Sequence, residues 1–258
     1  MFNWLMPVRT VLDEAEKPVR LFFRDDDAGW VNDRLYLLLD EFAYAGMPID
    51  VAVIPRAINH HLVDELLLRW QQGRHLIGLH QHGYGHLNHE SAGRRCEFGG
   101  SRSKTQQKVD ISKGQVMLRA AFGNALEPHF TPPWNRCTAK TVECLEELDF
   151  HLLSKDVTAA QLESSKLKQV PVHIDWSKIL KTSPTPLVTL GEAIAAHIGC
   201  NAVTGIMLHH ANMDAESLKP LAELLAVLVG HSNTQGIRLR DTLGYGTECK
   251  QSEKLPML

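Results

Sequence analysis

Three consecutive aspartates, Asp25, Asp26 and Asp27 in "RDDDAG", and four histidines within ten positions, His80, His82, His86 and His89 in "HQHGYGHLNH", are the side chains of this chain best suited to chemistry. Three adjacent like charges repel unless cations balance them. Two imidazoles and one carboxylate are the donor set of a catalytic zinc or similar divalent ion, because three protein ligands leave one coordination position open. His82 and His86 are spaced i, i+4 but lack the glutamate of H-E-x-x-H, and Gly83 and Gly85 lie between them. Each glycine would cost a helix roughly 1 kcal/mol, so the spacing predicts a loop carrying this pair. In "FTPPWNR" (130–136), Pro132 and Pro133 fix the backbone ahead of Trp134, whose rigid amide would suit an oxyanion. In "GIMLHHANMD" (205–214), His209 or His210 could protonate a leaving group.

These residues need elements to hold them. Short β-rich apolar runs alternate with amphipathic stretches of helical length, the pattern of parallel strands joined by helices. "VRLFF" (19–23), "IDVAVIP" (49–55) and "HLIGLH" (75–80) read as the first three strands. "DRLYLLLDEFAYAG" and "HLVDELLLRWQQG" read as helices ending at Gly46 and Gly73. "EPHFTPPWNR", "HLLS", "QVPVHIDW", "TGIMLHH" and "IRLRD" supply further strands, with "QQKVDISKGQVMLRAAFG" and "TAKTVECLEELDF" as helices among them; 155–170 is left unassigned. About seven or eight strands suffice to close a barrel, in which the active site lies at the C-terminal strand ends. The expectation is an α/β fold, a single (β/α) barrel domain spanning 1–258. The aspartates and the histidines each follow a strand candidate. The glycine- and arginine-rich segment at about 90–105 is too long for a plain connector and is expected to be an active-site loop.

Hydrophobic residues make up 44% and charged residues 22%, ordinary globular usage, so neither a disordered chain nor a coiled coil is suggested. A net charge of −3 with both signs interspersed provides no basic field for nucleic acid or anionic lipid, which leaves a small molecule as the expected partner. "MFNWLMPVRTVLDEAEKPVR" lacks the apolar run of a signal peptide and no segment approaches the ~20 apolar residues that span a bilayer, so a cytoplasmic protein is expected. Cys96, Cys137, Cys144, Cys200 and Cys249 form no C-x-x-C pair and are expected to be reduced thiols.

In the order of its motifs the chain resembles the NodB-like polysaccharide deacetylases, carbohydrate esterase family four. "RDDDAG" is similar to the family's T-F-D-D-G, "HGYGH" to H-[ST]-x-x-H, "TPPWN" to R-x-P-[FY]-G, "HIDW" to the motif ending D-x-W or D-W, and "MLHH" to L-x-H or L-H. The resemblance implies a distorted, seven-stranded barrel of the glycoside hydrolase/deacetylase type. It also implies removal of the N-acetyl group from an acetylated amino sugar or glycan precursor. The cofactor implied is a divalent metal, zinc first, with cobalt, manganese or nickel as alternatives. Carried over residue by residue, it makes Asp27, His82 and His86 the metal ligands and Asp26 the general base, if Ala28 takes the family's small glycine position; the other register uses Asp25 and Asp26. Trp134 would give its amide to the oxyanion, His209 would be the acid, and Asp175 and Trp176 would border the substrate pocket. Thr131 stands where the family has arginine, leaving Arg24 or Arg136 to orient the base; Arg136 and the loop residue Glu97 are taken as substrate contacts. The alternatives are another metal-dependent amide or ester hydrolase on the same barrel, and an inactive sugar-binding homologue.

Overall fold

The computed structural model describes residues 3–244. The strands are β1 (Val19–Ala28), β2 (Ile49–Val53), β3 (Ile77–His82), β4 (Leu126–Thr131), β5 (Leu152–Asp156), β6 (Lys168–Val172), β7 (Ile174–Asp175), β8 (Thr204–Leu208) and β9 (Thr234–Gly236). The helices are α1 (Met6–Glu14), α2 (Asn32–Ala45), α3 (His60–Gln72), α4 (Lys104–Phe122), α5 (Ala139–Glu147), α6 (Trp176–Thr182), α7 (Pro186–Cys200) and α8 (Ala215–Val229). Neighbouring strands run β6-β5-β4-β3-β2-β1-β8-β7, all parallel, with β9 added on β1. Only His173 separates β6 from β7, so the strand at one end of the series continues into the strand at the other. The sheet therefore comes round nearly to closure as a seven-position barrel, the architecture expected from the alternating runs.

Alternation along β1 sorts its side chains into two sets. Leu21 and Phe23 belong to the large core beneath the surrounding helices, whereas Phe22 packs with Leu152, Val170, Val172 and Met207. Each of the three is fully buried, worth roughly 2 kcal/mol per side chain. Arg24 and Asp26 continue the Phe22 side, and Asp25 the other. Helix ends follow their sequence signals: Gly46 closes α2 in the left-handed region, the Asn59 side chain caps α3, and Ser103 and Gln106 form a reciprocal box at the start of α4.

Several boundaries differ from the sequence expectation. β1 and β3 run past their apolar runs, so the aspartates and His82 are strand residues, and only His86 lies in a loop. The polar ends extend the strands because β8 pairs β1 as far as Asp25, β2 pairs it again at Ala28, and β4 pairs β3 as far as His82. "IRLRD" is no strand: β9 precedes it, and Leu239–Gly244 is a 3-10 helix. The unassigned segment contributes the end of β5 and the start of β6. Residues 83–103 contain neither helix nor strand, as expected of the long loop. Among the described residues, Cys96, Cys137, Cys144 and Cys200 are free thiols; Cys249 lies outside them. No described helix is long and apolar enough to cross a membrane.

Candidate metal and active site

At the C-terminal end of β1 the register against β2 shifts between Asp25 and Ala28, and Asp27 adopts φ 107°. A regular strand would send Asp27 to the same side as Asp25. The bulge re-aims it, a common use of bulges beside active sites. Asp27 Oδ1 consequently lies 3.1 Å from His82 Nε2 and 3.2 Å from His86 Nε2. Neither contact has hydrogen-bond geometry, and Oδ1 is a buried acceptor without a donor. One ligating atom from each of the three residues lies within 4.8 Å of the others. The two carboxylate–imidazole separations are close to the ~3.3 Å edge of a tetrahedron with ~2.0 Å metal–ligand bonds, so the donor set and these distances fit a divalent cation.

The surroundings orient these three side chains. His82 Nδ1 donates to the Thr131 carbonyl at 3.0 Å, leaving Nε2 free to ligate. Burial pushes the Asp27 carboxyl up, but the adjoining His82 and His86 more than offset this and hold it well below the carboxylate range. Burial works against protonation of His82 while Asp27 favours it, with a net upward shift. Asp27 thus draws positive charge to the point where the ligands meet. The His86 ring sits between two indoles, 4.8 Å from Trp30 and 4.4 Å from Trp134. Trp30, 41% exposed, forms the outer wall. His86, Trp134 and Asn135 all have positive φ, so backbone strain gathers around the cluster.

Asp26 does not join the cluster. Its oxygens accept from Arg24 Nε at 2.8 Å and Nη2 at 2.9 Å, a bidentate pair inside the barrel. Arg24 is itself fixed by Ser154 Oγ and Asn135 Oδ1, each 2.7 Å away. Arg24, rather than Arg136, therefore orients this carboxylate; the Thr131 hydroxyl instead meets His80 Nε2 at 2.9 Å. Of the three aspartates it is Asp27 that lies with His82 and His86, and Asp25 faces away. Its Oδ2 contacts His210 Nδ1 at 2.6 Å and its Oδ1 accepts the His210 amide. His210 Nε2 is 2.7 Å from the Trp30 carbonyl, so both ring nitrogens face acceptors. Despite burial, Asp25 raises the His210 pKa. His210 is thereby tied into the fold. Leu208 pairs with Asp25, so His209 follows at the level of Asp26, and its buried Nδ1 has no partner.

The remaining sequence-derived residues divide. Trp134 carries the first backbone N–H after the two prolines, in a left-handed conformation beside His86. Arg136 and Asp175 line a cavity next to Trp134, although Asp175 also caps α6 by accepting from Lys178 N. Trp176 is fully buried and stacks edgewise on Trp4 at 6.4 Å, so it does not form a pocket wall. Glu97 is likewise not presented to substrate: only 1% exposed, it accepts the amides of Tyr84 at 3.1 Å and Gly85 at 2.8 Å. It braces the loop that carries His86. A Cβ at Gly83 would fall 2.2 Å from Glu97 Oε2 and 2.6 Å from the Pro133 ring, which explains the glycine there. His80 is buried in the barrel and His89 lies exposed on the long loop. Trp30 and Glu97 as a brace are the features that residue type alone did not reveal; Arg24 was one of the two arginines expected to orient the base.

No protein-family model and no curated protein matches the sequence. Solved structures do. A protein from Mycobacterium smegmatis described as a polysaccharide deacetylase superposes with a TM-score of 0.63, 14% identity, and coverage of 94% of this chain and 96% of that one. The fold is that of the NodB-like, family four carbohydrate esterases. A family 4 acetyl xylan esterase from Clostridium thermocellum in complex with a cobalt ion gives a TM-score of 0.58 at 12% identity, covering 86% and 89% of the two chains. A family four pseudoenzyme from Bacillus anthracis gives 0.57 at 13% identity, covering 88% and 66%.

Proposed function

We propose that the protein is a metal-dependent deacetylase that hydrolyses the N-acetyl group of an acetylated amino sugar or glycan precursor in the cytoplasm. The observation that carries this reading is the convergence of Asp27 Oδ1 with the Nε2 atoms of His82 and His86, beside an Asp26 carboxylate clamped by Arg24. Asp27, His82 and His86 would hold the ion, zinc in the first instance, whose Lewis acidity supplies a water activated near neutral pH and a polarised acyl oxygen. Asp26 accepts the proton of the attacking water, and the Arg24 clamp keeps its lone pairs aimed at the mouth of the barrel. The Trp134 amide donates to the oxygen that becomes negative as the tetrahedral centre forms. His209 hands a proton to the departing amine, and acetate and a free amino sugar leave.

The fold also contains a pseudoenzyme from Bacillus anthracis, and Thr131 replaces the motif arginine here. Arg24 supplies a bidentate guanidinium contact to Asp26, which favours an active enzyme. Acetate release from N-acetylated sugars by the purified protein, measured together with its metal content, tests the reading. Stoichiometric metal and acetate release are expected, both lost in a His82→Ala, His86→Ala variant. Turnover undiminished by that variant would overturn the proposal.

A further inference from the structure

Next to Trp134 and Asn135, and so adjoining the proposed acyl site, lies a cavity of about 680 Å³. Four cationic side chains line it: Arg94 from the long loop, Arg136, Lys155 on β5 and Lys178 on α6. Among the described residues none of the four has an ion-pair partner. Lys155, only 5% exposed, donates to the Ala160 carbonyl, and Arg136 donates to the Arg95 carbonyl. The two carboxylates in the wall are already engaged: Asp156 accepts from the Thr158 amide and hydroxyl, and Asp175 accepts the Lys178 amide. The lining therefore carries two more positive than negative charges, in a concave wall that raises the local potential. Burial also lowers the Lys155 pKa, a cost that a bound anion would offset.

We infer that this cavity binds an anionic group carried by the acetylated substrate, so that the natural substrate is a phosphorylated or carboxylated amino sugar rather than a neutral glycan. The inference rests on the deacetylase reading for the identity of the other half of the substrate, but the anion site stands on its own geometry. With the charged group among the cations, the acetamide falls toward the Trp134 amide and Asp26. Arginine offers the paired donors that suit oxyanions, and the lysines add point charges.

The test has a binding arm and a kinetic arm, both using the metal-loaded protein and an Arg94→Ala, Lys178→Ala variant, whose two sites are exposed and whose fold is checked by circular dichroism. Inorganic phosphate, titrated by calorimetry, is expected to bind the unaltered protein and to bind the variant about tenfold more weakly or not at all. No phosphate binding, or equal binding by both proteins, would overturn the anion site. In the kinetic arm, an N-acetylhexosamine 1-phosphate and an N-acetylated hexosaminuronate are compared with the neutral sugar. The preferred anion is expected to show at least a tenfold lower KM than the neutral sugar, and that ratio is expected to collapse in the variant; the better of the two distinguishes phosphate from carboxylate. Equal KM values for all three would overturn the substrate class. If no sugar is deacetylated while phosphate binding still depends on Arg94 and Lys178, the enzymatic reading fails and the anion site survives.

Discussion

Arg24 and Asp26, two positions apart on the same side of β1, are joined by two hydrogen bonds of 2.8 and 2.9 Å inside the barrel. The base and the group that aims it come from a single strand, and Thr131 is left free to hold His80. Removing the acceptor of a proton in the rate-determining step costs ~10²–10⁴ in rate, so Asp26→Asn is expected to lower kcat by that range without loss of bound metal. Arg24→Ala strands a buried carboxylate and is expected to destabilise the fold by ~3–5 kcal/mol. Arg24→Lys retains the charge but not the paired geometry, and is expected to lower kcat about tenfold or more with KM little changed. Steady-state kinetics and chemical denaturation check these outcomes; full activity of Arg24→Lys would show that bidentate orientation is unimportant.

Glu97 holds the His86 loop through the amides of Tyr84 and Gly85. Groups that position ligands typically account for ~10–100-fold in metal affinity, and Glu97→Gln, which loses one acceptor oxygen, is expected to weaken zinc binding within that range. Gly83→Ala should do at least as much, since its Cβ would collide with Glu97 and Pro133 at a φ of +55°. Competition with a chromophoric chelator measures both. Unchanged affinity in both variants would remove the brace from the account.

The adjacent histidines are expected to separate cleanly. His209→Ala should depress kcat by ~10²-fold or more while leaving the melting temperature near that of the unaltered protein. His210→Ala leaves buried Asp25 without its partner, and should lower stability by ~3–5 kcal/mol. The reverse pattern would exchange their roles.

Acid should loosen the barrel where β6 passes into β7. Burial, reinforced by His197, lowers the His173 pKa to about 4, and its Nδ1 must stay unprotonated to accept the Gly205 amide. A histidine that is harder to protonate when folded contributes stability that is complete above its unfolded value of ~6.5 and is lost as pH falls through the folded value. Between pH ~6.5 and ~4, stability should therefore fall, by up to roughly 3 kcal/mol from this residue. His173→Gln, which keeps an acceptor but does not titrate, should flatten that part of the curve. An unaltered slope would place the acid sensitivity elsewhere.

The barrel was legible because apolar runs and helical periodicity alternate along most of the chain; polarity hid where β1, β3 and β5 end and where β6 begins, and the apolar "IRLRD" read as a strand although β9 precedes it. His82 and His86 were legible from their types and spacing. Which aspartate joins them was not, because the answer depends on a bulge and a positive φ at Asp27 that no side-chain pattern announces. Glu97 reads as a loop acid open to substrate; its acceptor role lies in backbone amides twelve or thirteen residues upstream. Trp176 reads as a pocket wall from its motif, yet the turn from β7 into α6 sends it into the core against Trp4. Arg24 was legible as one of two arginines that could orient the base, but choosing it over Arg136 required knowing that Arg24 shares β1 with Asp26 and that Arg136 turns to the Arg95 carbonyl.

Asp27, His82 and His86 are proposed to hold an ion essential to acyl hydrolysis. The most direct measurement is acetate release from an N-acetylated sugar after chelation, followed by stepwise return of zinc, for the unaltered protein and for Asp27→Ala. No release is expected after chelation, with recovery that saturates near one zinc per chain and no recovery in the variant. Release that persists in the chelated protein, or recovers equally in Asp27→Ala, would contradict this proposal.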